Sequence, residues 1–250
     1  GDFFDSYPFK GADENMILDL VNDQQRSVTW EVLLPAFDNV ELASVETSVG
    51  FELEPVQPAR RPVFAALGDS ITHGTGQGTG SYQSWPFLLA RKLDWDLYNL
   101  AVGGSGVSIG QAETLAGLGP VDVVTLLFGY NDWNGEGNSV EEFENEYRRM
   151  LAAVRAAQPG AEVYCITPLV TRRERSRTTD LPIDGFRDAV KRAVQDAALN
   201  DPRLHLIEGP SVSSYENLQP EGARDVVHLT VSGAALLAEA LEPLLSEAGQ

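Results

Sequence analysis

Val63-Phe64-Ala65-Ala66-Leu67-Gly68-Asp69-Ser70-Ile71-Thr72 is the stretch on which the reading of this chain turns. Its first five residues are apolar without a break. That is the pattern of a strand buried on both faces of a parallel sheet; a half-buried strand would alternate. The run stops at Gly68-Asp69-Ser70, and a glycine-rich segment (Gly74, Gly76, Gly78, Gly80) comes next. Open α/β sheets place their ligands at the carboxyl ends of their strands, so Ser70 stands where a nucleophile would serve. A Gly-Asp-Ser triplet alone is an ordinary turn, and the reading needs partners elsewhere in the chain.

Working outward, the chain after Pro62 alternates strand and helix patterns. A helix is expected over about 84–93, then a strand over about 97–102 ending in Gly103-Gly104-Ser105-Gly106. The next strand, about 121–128, ends in Gly129-Tyr130-Asn131-Asp132. Ser139 with Glu142 forms a capping box that opens a long helix, with Phe143, Tyr147, Met150, Leu151 and Val154 on one face. A strand over 162–169 leads into a loop carrying Arg172, Arg173, Arg175 and Arg177. A helix over 182–199, a strand over 204–207, a loop with Asp225 and His228, and a helix from Thr230 complete the chain. This order predicts an α/β fold, a flavodoxin-like, doubly wound, parallel five-stranded sheet in three layers.

Residues 1–61 keep another rhythm. Val28, Trp30 and Val32 alternate with polar residues, as do Val49, Phe51 and Leu53, and Phe37-Asp38-Asn39 suits a turn. Pro55 to Pro62 reads as an extended linker. The expectation is a small β-sandwich-like domain over 1–61 in front of an α/β domain over 62–250.

The formal charge of −19 argues against nucleic acid or an anionic membrane as partner, since both need a basic surface. Lysine is confined to Lys10, Lys92 and Lys191, which suits a salty habitat and a GC-rich genome equally. No apolar run approaches the roughly 20 residues of a membrane helix. The chain opens Gly-Asp-Phe-Phe without a basic region leading into an apolar one, so either it has no signal peptide or it starts after one, secreted and cytoplasmic locations both staying open. A single cysteine, Cys165, excludes an intrachain disulfide and lies in an apolar run, as a buried small hydrophobe does.

Strand ends at Ser70, Gly104 and Asn131 share one edge of a parallel sheet, and the loop with Asp225 and His228 can reach the same edge. Acyl transfer by serine needs such a set. A hydroxyl is a poor nucleophile until a histidine takes its proton, and a carboxylate must hold that histidine in one tautomer. The tetrahedral intermediate needs donors for its oxyanion, which the N–H groups of Ser70 and Gly104 and the amide of Asn131 can supply. Each piece has a plainer reading: Asp225-x-x-His228 as solvent-facing residues, Gly103-Gly104 and Gly129-Tyr130-Asn131-Asp132 as turns. Together, in this order and at these strand ends, they are a specific signal. His73 and His205 lack such a context and read as structural.

These residues carry a resemblance. Gly68-Asp69-Ser70-Ile71-Thr72, Asn99 to Gly104, Gly129-Tyr130-Asn131-Asp132 and Asp225-Val226-Val227-His228 resemble the four signature blocks of the SGNH/GDSL hydrolases, serine esterases on a flavodoxin-like sheet. The likeness runs from about residue 62 to about 245. It implies Ser70 as nucleophile, His228 as base, Asp225 as its orienter, and Ser70, Gly104 and Asn131 as the oxyanion hole, with no metal or cofactor. Residues 26–56 are similar to the end of the small β-domain found in one bacterial branch, whose members are mostly carbohydrate or short-chain esterases.

The expected activity is hydrolysis of a short-chain, foremost acetyl, ester of a small molecule or carbohydrate. An acyltransferase or thioesterase would use the same triad, and an inactive carbohydrate-binding protein would leave it idle. Tyr130 and Trp133 are candidates to stack on a sugar ring, and Arg172, with the neighbouring arginines, is a candidate to meet an anionic group. The glycine-rich segment is not a dinucleotide fingerprint, because the residue three after Gly76 is Thr79, and no Gly-Lys-Ser/Thr comes after it to make a phosphate loop. Oligomeric state is left open.

Overall fold

The computed structural model describes residues 20–21, 27–33, 41–50, 52–54, 60–77 and 81–246. Five strands form one sheet: β1 (Val63–Gly68), β2 (Asp96–Asn99), β3 (Val123–Leu127), β4 (Glu162–Ile166) and β5 (Leu204–Ile207). All pairings are parallel, in the order β2-β1-β3-β4-β5. Seven α-helical segments accompany them: α1 (Ser70–His73), α2 (Trp85–Leu93), α3 (Ile109–Thr114), α4 (Val140–Ala157), α5 (Asp184–Ala198), α6 (Gly209–Val212) and α7 (Val231–Leu245). The chain steps from β1 outward to β2, then crosses back to place β3 on the other side of β1. The loops after β1 and β3 therefore part at their carboxyl ends, the switch point where such sheets leave a crevice.

The unbroken apolar run of β1 has the burial it predicts. Ala65 and Leu67 face α3, α4 and α5 with Val124, Leu126, Val163 and Cys165. Phe64 and Ala66 face α2 and α7 with Val123, Leu127, Tyr164 and Ile166. Successive side chains go to opposite faces, and both faces are covered. α4 begins with the capping box: Ser139 Oγ accepts from the Glu142 N–H at 3.2 Å, and Glu142 Oε2 accepts from the Ser139 N–H at 2.9 Å. Its buried stripe is Phe143, Tyr147, Met150, Leu151 and Val154. α7 starts at Thr230, whose Oγ1 accepts from the Gly233 N–H at 2.9 Å.

Gly68 ends β1 because nothing larger fits. A Cβ there would overlap the Thr72 side chain and stand 2.8 Å from the Leu127 carbonyl, so the turn into α1 packs directly on β3.

The described residues differ from the sequence reading at three places. α3 occupies a stretch to which the sequence reading gives no element; its N-cap is Ser108, whose Oγ accepts from the Gln111 N–H at 3.2 Å. β2 ends at Asn99 rather than Val102 because Asn99 turns the chain: its Oδ1 accepts from the Ala101 N–H and its Nδ2 donates to the Thr72 carbonyl. Among the described residues before 60 there is no strand, and Val28, Trp30, Val32, Val49 and Leu53 are exposed. Phe51, Phe37-Asp38-Asn39 and residues 55–59 lie outside the described residues. Glu31 joins this region to the sheet domain through Arg91 of α2, at 2.7 Å. No helix of the described residues is long and apolar enough to cross a membrane.

Candidate active site

The turn after β1 builds the first part of the site. Asp69 caps α1, its Oδ1 accepting from the Ile71 N–H at 2.9 Å, which makes Ser70 the first helical residue at the carboxyl edge of the sheet. The second part comes from the far end of the chain. Leu229 is fully buried and pairs with Leu218, and Thr230 caps α7, so His228 is held one residue before two fixed points. The Arg172 N–H donates to the Val226 carbonyl at 3.2 Å and braces the same loop.

These constraints bring His228 Nε2 to 2.8 Å from Ser70 Oγ across 158 positions of sequence. On the other side of the ring, His228 Nδ1 lies 2.7 Å from Asp225 Oδ2. The remaining carboxylate oxygen, Oδ1, accepts from the Val227 and His228 N–H groups at 3.1 and 3.0 Å. Partial burial works to raise the Asp225 carboxyl, but these N–H donors and the imidazole outweigh it and hold it below the usual carboxylate range. The carboxylate therefore fixes Nδ1–H as donor and leaves Nε2 free to accept the serine proton, the tautomer that serine acyl transfer requires.

Gly104 lies on the turn after β2, next to Gly103, where an added Cβ would stand 3.9 Å from the Ser70 Cβ. Gly104 itself has φ +81, a left-handed conformation, and its Cβ position is open, so conformation rather than space selects glycine there. Among the described residues no hydrogen bond occupies the N–H of Ser70 or of Gly104. Asn131 is differently placed. Its Nδ2 donates to the Ser105 carbonyl at 2.9 Å and to Asp69 Oδ2 at 3.3 Å, so both amide hydrogens have protein acceptors. The longer bond, to Asp69, is the one an oxyanion would share or displace.

Two buried acids lie behind this edge. Burial drives the Asp69 carboxyl up to about 7, opposed by the Ile71 N–H and reinforced by Asp132. Burial also lifts Asp132 to about 6, against the Val107 N–H and with Glu136 adding to the rise. An unfolded aspartate loses its proton near 3.8, whereas folded Asp69 keeps it to about 7. Over that interval the folded state binds more protons, so this group lowers stability as pH rises. Asp69→Asn keeps a competent cap and cannot ionise. The Tm of this variant relative to wild type is expected to climb from about pH 4 to about pH 7, and a difference flat in pH would contradict the shift.

Other candidates fall elsewhere. Trp133 is no sugar platform: the π-helical turn Asp132–Glu136 buries it completely, and its Nε1 donates to the Leu181 carbonyl at 2.7 Å. Its polar sequence neighbours disguised a core residue. Tyr130 is half-buried and packs edge-to-face on Trp133, ring centroids 5.4 Å apart. Arg172 donates to the Gln219 and Tyr215 carbonyls and lies over the Tyr215 ring. Arg175 pairs with Asp180. His205 binds Glu162 at 2.7 Å and stacks on Tyr164. Cys165 is buried, its thiol pushed up to about 12 by burial.

Sequence reasoning missed Gln111, Ser105, Asp132 and Glu136, which tie the loops together. Val107 N–H donates to Asp132 Oδ1 and Gly106 N–H to Glu136 Oε1, joining the Gly104 turn to the Asn131 turn. The signal for Gln111 was the capping serine three residues before it. A cavity of about 380 Å³ near Arg148 and Arg155 lies at the amino ends of β4 and β5, away from Ser70.

Comparison with solved structures places the fold among acyl-transferring and carbohydrate-esterase neighbours. The salicylyl-acyltransferase SsfX3 from a tetracycline biosynthetic pathway aligns with a TM-score of 0.65 at 19% identity, over 76% of this chain and 55% of that one. A family two carbohydrate esterase from Clostridium thermocellum, in complex with cellohexaose, aligns at 0.59 and 21% identity, over 77% and 66%. A carbohydrate acetylesterase family member from Sinorhizobium meliloti aligns at 0.58 and 17%, over 74% and 98%. The chain thus spans between about half and two thirds of the first two. No curated protein matches it in sequence. The model of the GDSL-like lipase/acylhydrolase family matches residues 66–236, a span that runs from within β1 into α7 and takes in every residue of the Ser70–His228–Asp225 relay, and the chain belongs to that family.

Proposed function

We propose that the chain is a serine esterase that hydrolyses short-chain acyl esters, acetyl esters of carbohydrates foremost, through an acyl-enzyme on Ser70. The observation that carries this reading is the Ser70–His228–Asp225 relay, with contacts of 2.8 and 2.7 Å, at the switch point of the sheet. Ser70 Oγ attacks the ester carbonyl as His228 Nε2 takes its proton, and Asp225 stabilises the imidazolium. The oxyanion is met by the Ser70 and Gly104 N–H groups and by the Asn131 amide. His228 returns the proton to the leaving alcohol, which departs and leaves the acyl group on Ser70. Water then repeats the sequence to free the acid.

The short-acyl part of the reading rests on the fold shared with a carbohydrate acetylesterase family member. The carbohydrate part of the reading rests on the fold shared with carbohydrate esterases.

A chain-length series of p-nitrophenyl esters, run beside acetylated xylose and acetylated xylan, tests this. The expected result is a kcat/KM that falls at least about tenfold from acetate to octanoate. Octanoate turned over as well as acetate would remove the short-acyl assignment. Acyl product appearing on an added alcohol in preference to water would make the enzyme a transferase.

A further inference from the structure

Resting on the esterase reading, with Gly104 and Asn131 as oxyanion donors, we propose that Gln111 is the positioning residue of that oxyanion hole, fixing both donors relative to Ser70 by clamping Ser105. Ser105 is the residue on which both donors depend. Gly104 is its immediate neighbour, and the Ser105 carbonyl accepts the shorter of the two Asn131 hydrogen bonds, at 2.9 Å. Wherever Ser105 moves, the Gly104 N–H and the Asn131 amide move with it.

Gln111 comes from α3 and is buried, with 7% of its surface exposed. Its Nε2 donates to Ser105 Oγ at 2.9 Å, and its Oε1 accepts from the Gly68 N–H at 3.3 Å. Gly68 stands two residues before the nucleophile at the end of β1. The second Asn131 bond, to Asp69 Oδ2 at 3.3 Å, returns to the same turn. The bonds close a ring: Gly68 to Gln111, Gln111 to Ser105, Ser105 to Asn131, Asn131 to Asp69, and Asp69 back to Gly68 through the chain. One buried amide thereby sets the separation between the nucleophile turn and the donor turn. α3 is short and packs on α4, so its Gln111 is held from behind by the core rather than by the ring itself.

The test uses Gln111→Leu, Ser105→Ala and their double variant in the full chain. Active-site titration with a fluorophosphonate counts competent Ser70, and kcat on p-nitrophenyl acetate is expressed per titrated site. The expected result is a kcat about 10- to 100-fold lower with KM unmoved, the signature of a lost interaction made only in the transition state. The double variant should be no worse than Gln111→Leu alone, because both remove one clamp. Ser105→Thr, which keeps the hydroxyl, should retain most of the rate. Inhibition by phenylboronic acid, whose tetrahedral adduct on Ser70 places an oxygen in the hole, should weaken by a similar factor.

Wild-type kcat per titrated site in both Gln111→Leu and Ser105→Ala overturns the proposal. So does a fall in titratable sites with kcat per site unchanged, which marks a purely structural residue. Should Gln111→Leu fail to fold, Ser105→Ala decides alone. If Ser70→Ala is inactive in either case, the esterase reading stands; a fully active Ser70→Ala removes that reading itself.

Discussion

Ser70→Ala is expected to lower kcat toward p-nitrophenyl acetate by about 10⁴- to 10⁶-fold. The basis is geometric. Ser70 Oγ is the hydroxyl 2.8 Å from the imidazole of His228, and it stands where the sheet opens its crevice. On the proposed mechanism, removing it deletes the atom on which the acyl group would be carried. The residual rate belongs to substrate binding and to the oxyanion donors, which the substitution leaves intact. The substitution removes one half-buried hydroxyl, and the variant should keep the wild-type stability within about 1 kcal/mol.

His228→Ala should cost about as much as Ser70→Ala, and the double variant should be no slower than either. Groups that act as one unit are not additive, since the serine without its base is nearly as inert as no serine. Additive losses would mean that the two side chains serve different steps. A fluorophosphonate should label wild type at Ser70 alone, with the label lost in Ser70→Ala. Turnover by Ser70→Ala at the wild-type rate would end the assignment.

The parts of this molecule that could be read from its sequence are those where one physical requirement governs several adjacent residues. The continuous apolar run of β1 needs two covered faces, and the capping box of α4 answers two orphan N–H groups at once. The site was legible for a related reason: three short blocks lie at strand ends that a parallel sheet must bring to one edge, and the fourth lies in the loop before α7. What was hidden depends on contacts made at long range. Trp133 stands among Asn134, Gly135 and Gly137 and looked exposed, but a π-helical turn carries its indole into the core onto Leu181. Arg172 looked free until the carbonyls of Tyr215 and Gln219 took its guanidinium. Gln111 has one local signal, the capping Ser108 three residues before it, and that says nothing of where its side chain goes. Its importance lies in two bonds to loops that the sequence places 43 residues before it and 6 residues before it. The alternation at Val28 to Val32 carries a period of two, yet a strand also needs a partner, and these described residues have none in the sheet.

Asp225→Asn is expected to lower kcat by about 10⁴-fold while leaving the loop in place, and the hydrogen bonds around this carboxylate explain why the isostere is the sharper test. Asp225 Oδ1 accepts from the N–H groups of Val227 and His228, so the amide oxygen of an asparagine must take that position to keep them satisfied. Its NH₂ then has only one place to go, toward His228 Nδ1, now 2.7 Å from a donor rather than an acceptor. The ring answers by carrying its proton on Nε2, which presents N–H to Ser70 Oγ where a lone pair is needed. The base is thereby silenced without moving an atom far. Asp225→Ala would instead release both backbone N–H groups and let the loop before α7 shift, mixing lost chemistry with lost structure. The wild-type carboxyl titrates below the usual range, so it stabilises the fold above the unfolded value of 3.8 and loses that contribution as pH falls through its depressed folded value. The asparagine variant should lack this acid-side slope in Tm, with its far-ultraviolet spectrum unchanged. An Asp225→Asn enzyme within tenfold of wild type would mean that the orientation of His228 is set from elsewhere, and that the 2.7 Å contact is packing rather than chemistry.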